Sequence, residues 1–222
     1  LALLSKERDM NVTLIGVGAG VSYDVSGPTH HCLEDLSIMR VLPGIDVFSP
    51  SDFITTQRLV GYCLDKKGLR YLRFDSKPNV AIYTDGTPDI DKGFEHIRKG
   101  KTVLVIATGY MVHRALELNK LYGVGVVDLF RIGNLDKNSL AECIAGYDKI
   151  VTMEEGFVHR GGMDTLVQSI LLEAGLLKKV IAVGINNEYS FAIGSREAIH
   201  SAYGFGNDDI NNLIKGLFDE QA

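Results

Sequence analysis

Short apolar runs alternate with helix-patterned segments along almost all of this chain, and that alternation leaves few folds open. Strands joined by helical crossovers lie parallel in an open sheet with helices on its faces. The first run, Asn11 to Val17, is followed by a loop from Gly18 to Pro28 and a helix predicted from Thr29, on which Leu33, Leu36 and Met39 recur at helical spacing. Pro43-Gly44 breaks the chain before a strand at Ile45 to Phe48. Ser49-Pro50-Ser51-Asp52 then reads as the start of a second helix reaching about Leu64, with a capping residue, a proline at the first helical position and an acid at the third. Leu69 to Phe74 is the next predicted strand, and Val80 to Tyr83 a further short extended piece.

Between Asp75 and Gly100 the pattern weakens under Pro78, Gly86, Pro88, Gly93 and several charges, as it does in a connection between domains. We place a boundary near Asp85, with one domain over 1–85 and a second over 86–222. Beyond it the runs Thr102 to Ala107, Val124 to Leu129, Lys149 to Met153 and Val180 to Ile185 alternate with helices near Met111 to Tyr122, Leu135 to Ala145 and Met163 to Ala174. Two more helices, near Arg196 to Tyr203 and Asp208 to Phe218, follow. The expected fold class is α/β, with two open, mainly parallel sheets flanked by helices. Leu1 to Arg8 reads as the tail of a helix feeding the first strand, so a leading part is expected before it.

Composition narrows the function. A chain of 222 residues, 45% hydrophobic and 23% charged, has an ordinary globular make-up. Its net charge of -5 argues against a general nucleic-acid or anionic-membrane binder, while leaving room for a local basic pocket that takes a small anion. No apolar run approaches the roughly 18 residues of a membrane span. Cys32, Cys63 and Cys143 are widely spaced and form no Cys-x-x-Cys pair, which points to a reducing cytoplasm rather than to a disulfide framework or a zinc site.

The stretch Ser26-Gly27-Pro28-Thr29-His30-His31-Cys32 concentrates the chemistry. Read as a helix start, it lets Thr29 cap the first turn and sets His30 among amide dipoles that favour neutral imidazole, able to hydrogen-bond a hydroxyl or carbonyl oxygen. A cap or core role serves His30 equally well on these grounds. His31 lies about 100° away on a helix, so one of the pair is structural. His31 with Asp35 has the spacing of a metal pair but no third ligand nearby, and an ion pair is the plainer reading; no metal site is assigned. Gly16-Val17-Gly18-Ala19-Gly20 follows a strand, yet Val21 stands where a dinucleotide fingerprint needs its last glycine. Arg70 and Arg73 fall on opposite faces of one strand, so at most one of them addresses a pocket. Glu154-Glu155-Gly156 runs into His159-Arg160-Gly161-Gly162 before a helix, a turn that either holds an anion or simply caps and packs.

Gly27-Pro28-Thr29-His30-His31-Cys32-Leu33-Glu34-Asp35-Leu36, then Arg40 to Gly44, then Ser49-Pro50-Ser51-Asp52 resemble, in order, the pyrimidine-binding domain of the transketolase family of thiamin-diphosphate enzymes. Val105 to Gly109 and Val151 to Gly156 are similar to that family's C-terminal domain. The resemblance implies a truncated pyrimidine-binding domain followed by a C-terminal-like domain. It implies that His30 is the catalytic histidine touching the ketose or its cofactor adduct, and that Arg73 binds substrate phosphate. Ser26 stands where the family has a substrate-binding aspartate, and Gly18 where typical members have a second histidine, so a different sugar is expected. Thiamin diphosphate and Mg2+ would be bound mainly by domains outside this chain, and no cofactor-binding residue is nominated. The implied partners are a sugar-phosphate substrate, an N-terminal section or subunit and further copies in a homo-oligomer, with no nucleic acid or membrane. A deoxyxylulose-phosphate synthase using pyruvate and a non-catalytic assembly module are the alternatives; β-subunits of 2-oxoacid dehydrogenases fit less well.

Overall fold

In the computed structural model, which describes residues 1–84 and 86–219, the chain builds two sheets. Helix α1 (Ala2–Glu7) leads to β1 (Val12–Val17). Two single 3-10 turns, Asp24–Ser26 and Pro28–His30, precede α2 (Asp35–Arg40), β2 (Ile45–Phe48), α3 (Phe53–Asp65) and β3 (Leu69–Phe74). These strands form a three-stranded parallel sheet in the order β1-β3-β2. The second sheet follows from β4 (Phe94–Arg98), β5 (Val103–Ala107), α4 (Met111–Tyr122), β6 (Gly125–Leu129), α5 (Lys137–Ala145), β7 (Lys149–Phe157), α6 (Met163–Glu173) and β8 (Val180–Ile185), with α7 (Arg196–Ala202) and α8 (Asn207–Asp219) after it. Its order is β4-β6-β5-β7-β8, parallel except for β4, which runs antiparallel to β6.

β5 shows why the second sheet forms. All five of its residues are buried; Val103, Val105 and Ala107 pack with α4, α7 and α8, while Leu104 and Ile106 face the other way. A strand buried on both faces reads as a continuous apolar run. The second of these cores also takes in Ile45, Val47, Leu69 and Tyr71 from the first sheet, so the two sheets share it. Backbone bonds join them as well: Ser49 N donates to Phe130 O at 2.9 Å and Ile132 N to Val47 O at 2.7 Å.

Several expectations are corrected. No α-helix starts at Thr29; the segment makes one 3-10 turn and α2 begins at Asp35. The cap of α3 is Asp52, whose Oδ1 accepts from Thr55 N at 2.8 Å, rather than Ser49. Val80 to Tyr83 is no strand, because Ile82 N and Tyr83 N donate to Asp52 Oδ2 instead of to a sheet. β4 lies inside the stretch expected to be irregular. The boundary expected near Asp85 falls on a residue outside those described.

Candidate active site

Because β1, β3 and β2 are parallel, their carboxyl ends lie along one edge of the sheet, where open α/β sheets bind ligands. The loop after β1 is anchored there. Gly18 N and Ala19 N donate to Phe74 O at 2.9 and 3.0 Å, and Gly20 exchanges two backbone bonds with Cys32 at 3.0 and 2.8 Å. Gly20 has φ +58, and any Cβ there would run into the Glu155 side chain, so glycine is required. The loop after β3 clasps it: Ser76 Oγ donates to Ser22 O at 3.0 Å, Ser76 N to Ser22 Oγ at 3.3 Å, and Lys77 Nζ to Asp24 Oδ2 at 2.6 Å. A cleft of about 260 Å³ lined by Asp52, Phe53, Phe74, Ser76, Lys77 and Asn79, among others, opens beside this clasp.

The structure holds Ser26 and His30 exposed on this loop. Nδ1 of His30 lies 3.0 Å from Thr29 Oγ1, and its ring meets Tyr23 edge-on with centroids 6.0 Å apart. With Thr29 donating, Nδ1 accepts and the proton sits on Nε2, available to donate. The predicted helix-dipole setting is absent, since no α-helix starts here. The neighbouring His31 differs: both ring nitrogens are buried without a hydrogen-bond partner among the described residues, and burial pushes its pKa down against the pull of Glu155 and Asp24. It is not paired with Asp35, which goes to Arg73 and Tyr71 instead.

Arg73 does not offer its fork to a phosphate in this geometry. Only 3% of it is exposed; its Nε donates to both Asp35 oxygens at 3.0 and 2.8 Å, and its Nη2 to the carbonyls of Cys32 and Glu155 at 3.0 and 2.8 Å. The guanidinium thus ties β3, α2, the His30 loop and β7 together. Arg70 is equally enclosed, donating to Asn11 Oδ1 at 2.7 Å and to Lys66 O. The two arginines do point to opposite faces of β3, each into a set of protein acceptors. At the other turn, a carboxyl of the protein itself fills the space. Glu154 accepts from Asp164 N at 3.1 Å at the start of α6, and burial raises its carboxyl to about 7. A side chain at Gly162 would meet Glu154 Oε2 at 2.7 Å, leaving no space there for an external anion.

Three partners lay beyond sequence reasoning. Arg196 and His200 converge on Glu155, and Lys77 on Asp24. The only sequence signal for Lys77 is its place just past a parallel strand; Arg196 and His200 carry none, being far from Glu155 along the chain. A buried acid, Asp128, sits at the end of β6, where Ser51 Oγ and Tyr83 Oη donate to its Oδ2 at 2.5 and 2.8 Å. Its Oδ1 has no partner among the described residues, and burial raises its carboxyl to about 7. Among the described residues no three His, Cys, Asp or Glu side chains lie together as a metal ligand set would.

Two family profiles match the chain: "Transketolase, pyrimidine binding domain" over residues 2–80 and "Transketolase, C-terminal domain" over residues 93–210. The chain is 26% identical over 215 residues to one subunit of the apulose-4-phosphate transketolase of Actinobacillus succinogenes, covering 95% of this chain and 69% of that one. It is 30% identical over 219 residues to the transketolase of Rattus norvegicus, covering 94% of this chain but 34% of that enzyme. A solved structure of a split-gene transketolase, described as an inactive beta4 tetramer, superposes with a TM-score of 0.78 at 26% identity, over 97% of this chain and 73% of that one. The chain therefore spans about a third of the rat enzyme's length.

Proposed function

Since this chain belongs to the transketolase family, whose members depend on thiamin diphosphate, we propose that it serves as the C-terminal section of an enzyme transferring a two-carbon ketol unit between sugar phosphates. The observation that carries this reading is the exposed His30 on a loop anchored at the carboxyl ends of three parallel strands, inside the segment matched to the pyrimidine-binding profile. Here His30 donates from Nε2 to an oxygen of the bound ketose, and Ser26 faces a substrate hydroxyl. Arg73 positions this loop from behind through Asp35, Cys32 and Glu155. The division into two domains at about residue 85 is supported by the gap between the two profile matches.

The cofactor would supply a carbanion that accepts the ketol unit. This chain's residues orient the sugar and hold a proton at His30. An N-terminal section is the proposed partner for the cofactor and Mg2+, and the similarity to a split-gene tetramer supports an oligomeric assembly. No helix among the described residues is long and apolar enough to cross a membrane, and three free thiols support a cytoplasmic location. The test combines the chain with its N-terminal section, thiamin diphosphate and Mg2+, and offers a phosphorylated ketose donor with an aldose acceptor. Ketol transfer is expected. Reaction with pyruvate in place of the ketose would replace this reading by that of a deoxyxylulose-phosphate synthase, and the absence of both reactions would overturn it.

A further inference from the structure

Arg196 opens α7, in the second unit, yet its guanidinium reaches the end of β3 in the first. Nε and Nη2 fork onto the two oxygens of Glu155 at 2.6 and 2.5 Å, and Nη1 donates to Asp75 Oδ2 at 2.7 Å. The ring of Tyr110 covers the guanidinium at 3.7 Å, and His200 Nε2 lies 2.5 Å from Glu155 Oε1. Both charges of the Arg196–Glu155 pair are buried. Buried ion pairs contribute little net stability against well-packed apolar groups, but their fork geometry fixes orientation.

What this cluster orients can be followed outward. Asp75 starts the loop in which Ser76 holds Ser22 and Lys77 holds Asp24, just ahead of Ser26. The Glu155 side chain fills the space beside Gly20, which is paired with Cys32, two residues past His30. The Glu155 carbonyl also accepts from Arg73 Nη2, which bonds Cys32 O as well. The cluster thus grips the His30 loop ahead of Ser26 and again beyond His30. We propose that Glu155, Arg196 and Asp75 form a positioning triad through which the second unit sets the geometry of the substrate-facing loop. This deepens the functional reading above and rests on it for its catalytic consequence.

The variants Asp75→Asn, at the rim of the cluster, and Arg196→Lys, which keeps the charge and loses the fork, separate geometry from charge. Hydrogen exchange on the full chain is expected to speed up about tenfold in peptides spanning 18–34 and 74–79 in both variants, with β5 and β6 unchanged. Unchanged exchange in those loops, or a uniform rise across the chain, overturns the proposal. In the assembled enzyme, kcat is expected to fall about tenfold with cofactor affinity unchanged, and wild-type kcat in both variants would likewise overturn it. If the wild-type assembly transfers no ketol unit, the functional reading fails, and the exchange measurement decides the positioning claim by itself.

Discussion

His30 and His31 are chain neighbours in opposite surroundings, one exposed and one with both ring nitrogens buried and unpartnered. Replacing His30 by alanine should cost the assembled enzyme at least about tenfold in turnover, the scale of a lost transition-state hydrogen bond of roughly 1.4 kcal/mol, and leave the melting temperature almost unchanged. His31→Phe should hold or raise the melting temperature, since it removes two unsatisfied polar atoms. For Arg73 the expected signature is structural. Arg73→Met leaves buried Asp35 without its cation and should lower the unfolding free energy in urea by about 3–5 kcal/mol; a substrate-phosphate role would instead raise KM with stability intact. Asp128 sets a pH dependence. Its folded carboxyl titrates at about 7 against an ordinary 3.8, so the native state binds the extra proton between those values. Its contribution therefore falls as pH rises from about 4 to 7 and stays low above. Asp128→Asn should raise the melting temperature at pH 8 and change it little at pH 4, as followed by circular dichroism. The spacing of Arg70 and Arg73 was legible in the sequence, but not what each meets: Asp35 lies thirty-eight positions before Arg73, and only the fold brings them together.

β1 is an edge of its sheet, with Ile15 60% and Val17 58% exposed on the side where Thr13 meets Cys63 of α3. Phe53, Val60 and Leu64 form an exposed stripe on α3 at helical spacing. An unpaired strand edge beside exposed apolar side chains favours association. The chain alone should sediment as an oligomer, and Val17→Lys combined with Leu64→Lys should shift it to a smaller species at equal concentration. Strands such as β5 were plain from their apolar runs, because burial on both faces favours a continuous apolar sequence. β4 was missed because Phe94-Glu95-His96-Ile97-Arg98 is a partly exposed antiparallel edge with polar residues between its apolar ones. The turn at Pro28 to His30 was misread for a related reason. Leu33, Leu36 and Met39 imitate a longer helix, while the backbone bonds between Gly20 and Cys32 hold the preceding residues out of one.

At the scale of the molecule, the unit that carries His30 is a small sheet that completes its core with side chains from the larger one. Sequence patterning indicated two sheets but not their union, because backbone bonds that join them, from Ser49 N to Phe130 O and from Ile132 N to Val47 O, leave no trace in local composition. Those two bonds and the shared core behind them lead to the expectation that the peptide connection between the units is dispensable once folding is complete. Gly86 and Thr87 are exposed on that connection. A protease that nicks the chain there should yield two fragments that separate in denaturant yet elute together from a sizing column in native buffer. Chain continuity and structural continuity would then be distinct properties of this protein, with the seam between the sheets surviving a cut that severs the backbone.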